Sequence, residues 1–437
     1  MKNKNYVRVG TALVVLLSSY TLQAFGQTTN PQSKDYPELI TLSPEKTGTD
    51  IPSSISKRGN ITSFVSTVID EHPALKAAAA SLDAERARAR GLGRKLYNPE
   101  LELEFETADT ETATIGLSQT LDRHGKRGAR DRAGKDNILV AKAAYALVRK
   151  TLETELLIAL ADYQNRVEQV DLAKKKVEFG RNFLLLAQRR EAAGDLSKSD
   201  VLTAQLALSS AKAGLTIARA DLSRSDQALI SLSGQSLSTW PLLKGTPNGS
   251  YSKNWRAIPD QLPEVQLALA QSRASHSMVS VAQKMRKTDP TIGGRIGSEG
   301  SNILFGVRLA IPLQINNNYS DSVDAAKAES VHAAAGLERV RRQAIARLNG
   351  TRRRLEAAEQ AWQNWQNTGA EQLEKQRSLL KRLWEAGELG ATQYLIQYNQ
   401  TFEAQKASTD LKSAYWRSWF EYLDASYTIP KWLEAIK

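Results

Sequence analysis

The 437-residue chain contains no cysteine. That absence removes disulfide bridges, thiolate metal sites, a cysteine nucleophile and the lipid-modified cysteine that would anchor a mature N-terminus. Histidine is almost as scarce. The four present, His72, His124, His276 and His332, fall at no metal-ligand spacing, so neither a metal site nor a cofactor is expected from them. There is also no sustained block of one charge. The formal net charge is +12, yet the basic residues are interleaved with acids along helical stretches, which argues against a nucleic-acid partner. Beyond the N-terminus no segment approaches 18 uninterrupted apolar residues, so any membrane contact must be made by strands.

At the N-terminus, Lys2, Lys4 and Arg8 precede an apolar run over 9–17, and Ala24-Phe25-Gly26 supplies small residues for cleavage. This predicts an export leader over 1–26. Residues 27–59, rich in Ser, Thr, Pro, Lys and Asp, read as an extended arm.

Two stretches alternate with a period of two. In the first, Leu101, Leu103 and Phe105 share one strand face with Ala113, Ile115, Leu117 and Leu121, while Glu102, Glu104 and Glu106 share the other with Thr114, Gly116, Ser118 and Thr120. In the second, Ile292, Ile296, Ile303, Phe305, Val307, Leu309 and Ile311 alternate with Arg295, Leu304, Gly306, Arg308 and Ala310. The arms approach the length a tilted strand needs to cross a bilayer. Strands are expected at about 99–121 and 290–313. Four strands cannot close a barrel, since about eight is the usual minimum, and an open edge in lipid would leave backbone groups unpaired. One chain therefore supplies a share of a barrel, and three copies would give twelve strands.

The remainder reads as helix. No proline interrupts the chain between Ala129 and Ala193, which predicts a helix of roughly 95–100 Å at 1.5 Å per residue. Leu208, Leu215, Leu222 and Leu229 recur at sevens, as do Leu348, Leu355 and Trp362, the spacing of coiled coils. Punctuation recurs as well. Pro263 follows Pro73 by 190 residues, Pro290 follows Pro99 by 191, and Ala386-Gly387-Glu388-Leu389 follows Ala193-Gly194-Asp195-Leu196 by 193. A repeat this long implies two equivalent halves, over 60–235 and 262–428, joined by a Pro- and Gly-rich linker at 236–261 and followed by a tail at 429–437. In the last segment Trp416, Trp419, Phe420, Tyr422 and Trp432 are expected to pack a helical collar.

These residues leave three readings open: a channel, a periplasmic coiled-coil rod or adaptor without channel activity, and an exported hydrolase. The hydrolase would need a nucleophile or a carboxylate pair in a pocket, and the three glutamates are better explained as a wet barrel face.

The ordered set of His72-Pro73-Ala74-Leu75, Asn98-Pro99-Glu100-Leu101 and Gly194-Asp195-Leu196-Ser197 with Asp200, inside a duplicated layout, resembles the TolC-like outer-membrane efflux factors of Gram-negative bacteria. Leu117-Ser118-Gln119 followed by Gly125-Lys126-Arg127 resembles the cobalt-zinc-cadmium branch of that family. The resemblance implies a mainly α protein with a small membrane β part: a long coiled-coil helical barrel and a 12-stranded β-barrel shared by a homotrimer, four strands per chain. It implies no enzyme activity. It also implies a passive exit duct for divalent heavy-metal cations, working with a periplasmic membrane-fusion adaptor and an inner-membrane resistance-nodulation-division pump. At the two tips, about 193–200 and 386–393, Gly194, Leu196, Ser197, Gly387 and Leu389 are then expected to dock the adaptor, with Arg189, Asp200 and Arg382 constricting the pore. Glu102, Glu104, Glu106, Arg295 and Arg308 are expected to line the barrel lumen. The second tip carries Gln393 where the first has Asp200.

Overall fold

The computed structural model describes residues 61–107, 111–247 and 259–436, all within one compact unit. The expected leader, the N-terminal arm and part of the linker lie outside the described residues.

The chain opens with α1 (Ile61–Glu71) and α2 (Pro73–Leu92). His72 caps α2, its Nδ1 accepting from the Ala74 N–H at 3.1 Å, and Pro73 takes the first helical position, where a missing N–H costs nothing. A hairpin of β1 (Glu100–Thr107) and β2 (Glu111–Thr120) follows. Next come α3 (Lys126–Ala192), 67 residues without interruption, and α4 (Lys198–Ser233). The second half repeats the plan with α5 (Pro263–Met285), β3 (Thr291–Glu299) and β4 (Asn302–Ala310). Its long helix is not continuous. Helix α6 (Ser320–Asn364) passes into a π-helical turn, Trp365–Gly369, before α7 (Ala370–Glu385). A Cβ at Gly369 would lie 2.5 Å from the Trp365 ring, so the indole folds over the one residue that leaves room for it. Helix α8 (Ala391–Ser426) returns, and residues read from the sequence as a tail form α9 (Ile429–Ala435), with Ile429 and Leu433 buried.

The main core gathers α1, α3, α4, α6, α8 and α9 around Leu156, Leu157, Leu160, Leu348, Leu355 and Phe420. Of the heptad positions, Leu229, Leu348, Leu355 and Trp362 sit here, whereas Leu208, Leu215 and Leu222 are half-buried along α4 outside this core; the aromatic collar sits here as expected. Before the linker leaves the described residues, its chain is held against the core. The Gln164 side chain bonds both the N–H and the C=O of Leu243, at 2.9 and 3.1 Å, and Trp240 is buried with its indole N–H on Asp226. Helix α4 is apolar enough to cross a membrane by length and composition alone. It packs instead along α3, where Gly180 brings the two backbones together: a Cβ there would lie 3.4 Å from the Leu208 Cα.

The four strands form one antiparallel sheet in the order β1-β2-β3-β4. Register places Leu103, Ile115, Ile296 and Phe305 in one cross-strand row and Glu102, Gly116, Arg295 and Gly306 in the next. Apolar and polar faces are therefore separated as the alternation predicts. The polar face is the crowded one. Thr114 and Ser118 are buried on it, whereas Val307 on the other face is 89% exposed.

Crowding generates a sharp prediction. A Cβ at Gly297, on the polar face, would lie 2.0 Å from the Ala113 carbonyl oxygen, whereas one at Gly294, on the apolar face, meets nothing nearer than 4.0 Å. Gly297→Ala should force β2 and β3 apart and destabilise the sheet by at least the roughly 1–3 kcal/mol of an overpacked site. Gly294→Ala should be close to neutral. Thermal loss of the β-signal in circular dichroism checks the pair, and equal melting of the two variants would refute the assigned facing.

Candidate functional site

The polar face of the sheet holds its charges in pairs. Arg295 on β3 reaches Glu104 on β1 at 3.0 Å, and Arg308 on β4 reaches Glu102 at 3.1 Å. Arg295 crosses β2 and Arg308 crosses both β3 and β2, which requires small residues beneath the guanidinium groups. Gly116, Ser118 and Gly293 provide them, and Ser118 also donates to Glu102 at 3.1 Å. Glu106 is exposed and in no ion pair among the described residues. All four paired side chains are about half exposed, so the pairs fix geometry more than they add stability. The five residues expected to line a lumen thus share one face.

Where helices meet strands lies a cluster that sequence reasoning missed. Asp289 and Lys126 are both buried, 2.9 Å apart, while Tyr97 donates to Asp289 at 2.8 Å and His124 lies 3.4 Å away. Burial pushes the Asp289 carboxyl up, but hydrogen bonds from Lys126, Tyr97 and His124 outweigh it and hold the group below the usual carboxylate range. Burial and the adjacent carboxylate push the Tyr97 hydroxyl up to about 12. The cluster ties together the entry to β1, the exit from β2 and the entry to β3. Its sequence signal was the pairing of Asp289-Pro290 with Asn98-Pro99, where only the second repeat carries the charge.

At the far end, both hairpin tips turn through a left-handed glycine, Gly194 at φ 84° and Gly387 at φ 77°. Ser197 and Asp200 form the expected capping box, each side chain bonded to the other's backbone N–H. Asp200 also accepts from Thr392 of the second tip at 3.4 Å, so it joins the tips as well as capping a helix. The hydrogen bond from the Ser197 hydroxyl holds its carboxyl below the usual range, against a smaller opposing effect of burial. Of the expected docking residues, Gly194, Ser197 and Gly387 are exposed and Leu196 is half-buried. Leu389 is buried in an aromatic cluster with Phe183, Trp384 and Tyr394, so it supports the tip from within. Arg189 and Arg382 are both exposed. The neighbouring Arg190, not singled out from the sequence, stacks on Trp384 at 4.3 Å and donates to its carbonyl at 3.1 Å, tying α3 to α7.

Among the described residues no cluster of His, Asp and Glu is arranged to hold a metal ion.

The fold is shared with outer-membrane channel proteins of known structure. It superposes on the transmembrane channel CusC with a TM-score of 0.74 at 15% identity, covering 84% of this chain and 92% of CusC. It superposes on the outer membrane protein VceC of Vibrio cholerae with a TM-score of 0.71 at 18% identity, covering 84% and 95%. Residues 64–235 match the family model for the outer membrane efflux protein. The chain is 27% identical over 273 residues to the cobalt-zinc-cadmium resistance protein CzcC of Cupriavidus metallidurans, covering 60% of this chain. It is 27% identical over 292 residues to the nickel-cobalt-cadmium resistance protein NccC of Alcaligenes xylosoxydans xylosoxydans, covering 61%. The matched parts span 65% and 62% of those two relatives, less than two-thirds of either.

The tip cap sets a testable pH dependence. Because the folded-state pKa of Asp200 lies below its ordinary value, its contribution is complete above the unfolded pKa of about 3.9 and disappears as pH falls through the lower folded value. Ser197→Ala should remove about 1 kcal/mol of local stability at neutral pH. It should also reduce the acid-dependent part of the loss, leaving the share held by the backbone N–H of residue 197 and by Thr392. Amide exchange over residues 198–201, corrected for intrinsic rates, reads both effects.

Proposed function

We propose that the protein is the outer-membrane exit duct of a tripartite efflux system for divalent heavy-metal cations, assembled as a homotrimer. The observation that carries this reading is a matched set of open edges. The sheet ends in β1 on one side and β4 on the other. In the adjoining helical layer the packing order is α2-α3-α5-α6, and toward the tips it is α4-α3-α8-α7. In every layer the first repeat supplies one edge and the second repeat the other. One rotation therefore joins β1 to β4, α2 to α6 and α4 to α7 of neighbouring copies, a head-to-tail contact that closes into a ring. Exposed apolar residues wait at those edges, among them Leu202, Leu206 and Ile217 on α4, Leu379 on α7 and Val331 on α6. Three copies bring twelve strands, enough for a barrel with a lumen.

In this assembly the apolar sheet face meets lipid, while Glu102, Glu104, Glu106, Arg295 and Arg308 line the water-filled interior. The six tips of a trimer form one ring at the periplasmic end. Gly194, Ser197 and Gly387 present the docking surface for a membrane-fusion adaptor, with Leu196 and Leu389 shaping it from beneath. Arg189 and Arg382 narrow the pore there, and Asp200 holds the two tips of each copy together. The metal cargo is argued from the names of the relatives CzcC and NccC. A resistance-nodulation-division pump would supply the energy. A duct needs no tight site for its cargo, because conduction requires exit as well as entry.

Two measurements test the reading. The purified protein should migrate as a trimer in mild detergent and conduct ions in a planar bilayer. A monodisperse monomer with full β-content would overturn the proposed assembly. Val307→Arg, placed near mid-bilayer, should cost roughly 2–4 kcal/mol of membrane stability, whereas Glu104→Gln should be mild. Gly194→Val places a β-branched residue at φ 84°. It should abolish metal efflux while export and trimer formation remain normal, and full resistance with normal crosslinking to the adaptor would refute the docking role.

A further inference from the structure

The apolar stripe on β4 does not stop where the strand stops. Ile303, Phe305, Val307 and Leu309 face outward, and the same odd-numbered series continues through Ile311, Leu313 and Ile315, which are 54%, 76% and 83% exposed. These last three lie beyond Ala310, where pairing to β3 has ended. They are not a loose end. Gln314, on the opposite side of the segment, donates to the Arg286 carbonyl at 2.7 Å, which pins the chain to the end of α5 and turns its neighbours outward. Tyr319 is exposed at the start of α6, and Met285 is exposed where α5 ends.

Basic residues stand at the same helix–strand junction, on the other crossings of the chain. Arg94 and Lys95 lie between α2 and β1, Arg123 between β2 and α3 with Arg127 in the first turn of α3, and Arg286 and Lys287 between α5 and β3. All six are exposed. None is in an ion pair among the described residues. Two neighbouring acids are engaged within the fold: Asp122 accepts from the backbone N–H groups of Lys126 and Arg127, and Asp289 is buried, while Asp321 and Asp324 at the start of α6 are exposed.

We propose that this junction is a second membrane-binding surface, with Ile311, Leu313 and Ile315 seated in the phospholipid leaflet on the helical side of the sheet and the basic collar on its anionic headgroups. The proposal rests on the lipid-facing reading of the sheet and extends it. Continuity with the outward face of β4 identifies the occupant, since the stripe that meets acyl chains at Val307 runs without a change of side into the segment below. Apolar side chains flanked by cations, with an aromatic at the edge, match the headgroup boundary rather than the hydrocarbon centre.

The absence of cysteine makes the test clean, because single labels need no background substitutions. Val307→Cys, Leu313→Cys, Gln314→Cys and Val331→Cys are each labelled with an environment-sensitive fluorophore. The full chain is then reconstituted in vesicles of phosphatidylethanolamine and phosphatidylglycerol carrying nitroxides either at the headgroup or deep in the acyl chain. The label at Val307 should lose fluorescence to the deep nitroxide and that at Leu313 to the headgroup nitroxide. Labels at Gln314 and Val331 should respond to neither. Replacing phosphatidylglycerol by phosphatidylcholine should weaken headgroup quenching at Leu313, as should Arg286→Glu with Lys287→Glu. If Val307 is quenched while Leu313 answers only to aqueous iodide, the segment lies in water and the inference fails. If Leu313 answers to neither nitroxide nor iodide, another copy of the chain covers it and the inference fails equally. Loss of quenching at Val307 itself would instead overturn the lipid-facing sheet on which the inference stands.

Discussion

An unpaired strand edge is the constraint on which the rest of this molecule depends. In hydrocarbon no water is available to a free amide or carbonyl, and each costs several kcal/mol. The sheet has two such edges, β1 and β4, and four strands cannot curl far enough to join them. Everything below the sheet is consistent with passing this problem to a neighbouring copy. The helices carry the same sequence of first-repeat and second-repeat edges, so a partner that satisfies the strands also meets the helices. The glycines of the polar face serve the same end. With side chains absent at Gly116, Gly293 and Gly297, the face can draw together, and that curvature is what a closed barrel needs.

A buried charge cluster sits where curvature must be handed to straight helices. Lys126 and Asp289 are out of water with the half-buried Tyr97 beside them, and an unpaired charge there would be costly. Their mutual bonds make the junction an all-or-none arrangement: the loops before β1, after β2 and before β3 are correctly placed together or not at all. Deeper in the helical part, Lys150 plays a comparable role. It is buried against Glu264 at 2.9 Å and Asp424 at 3.5 Å, which joins α3, α5 and α8. Polar anchors of this kind specify which helices meet, while the leucine and aromatic core supplies the driving force.

Much of this was legible in the sequence because it is periodic. Alternation fixed which side of each strand is apolar, heptads marked the seams later found around Leu229, Leu348 and Leu355, and glycine with Ser197 and Asp200 located the turns. What was not legible depends on contacts distant in sequence. Tyr97 meets Asp289 across 192 positions, and no local pattern announces that. Arg189 and Arg190 look alike in the chain, yet helical geometry directs the second onto Trp384 and leaves the first exposed. Leu389 matches Leu196 by repeat position, but the second hairpin folds it beneath Trp384 and Tyr394. The π-helical turn was hidden because only Gly369 marks it.

That turn also shows what duplication has and has not preserved. Both halves keep the left-handed glycine at the tip, since a backbone reversal at fixed height is a shared geometric need. Side-chain chemistry has diverged around it. The first return helix is capped by Ser197 and Asp200, whereas the second begins at Gly390 without a side-chain cap, and Asp200 instead reaches across to Thr392. The long helices have diverged as well. Helix α3 keeps its ladder of i to i−4 bonds through 67 residues, while the equivalent strut changes to wider bonding over Trp365–Gly369. Poorer hydrogen-bond geometry over one turn makes a helix easier to bend there than in a continuous α-ladder. The two struts of one chain are thus a stiff member and a compliant one, joined at their ends by Arg190 on Trp384, while Asp200 on Thr392 joins the return helices. A load applied at the tips would be taken up by bending at Gly369 before it reached the shared core at Leu355, and the sheet above would be left undisturbed.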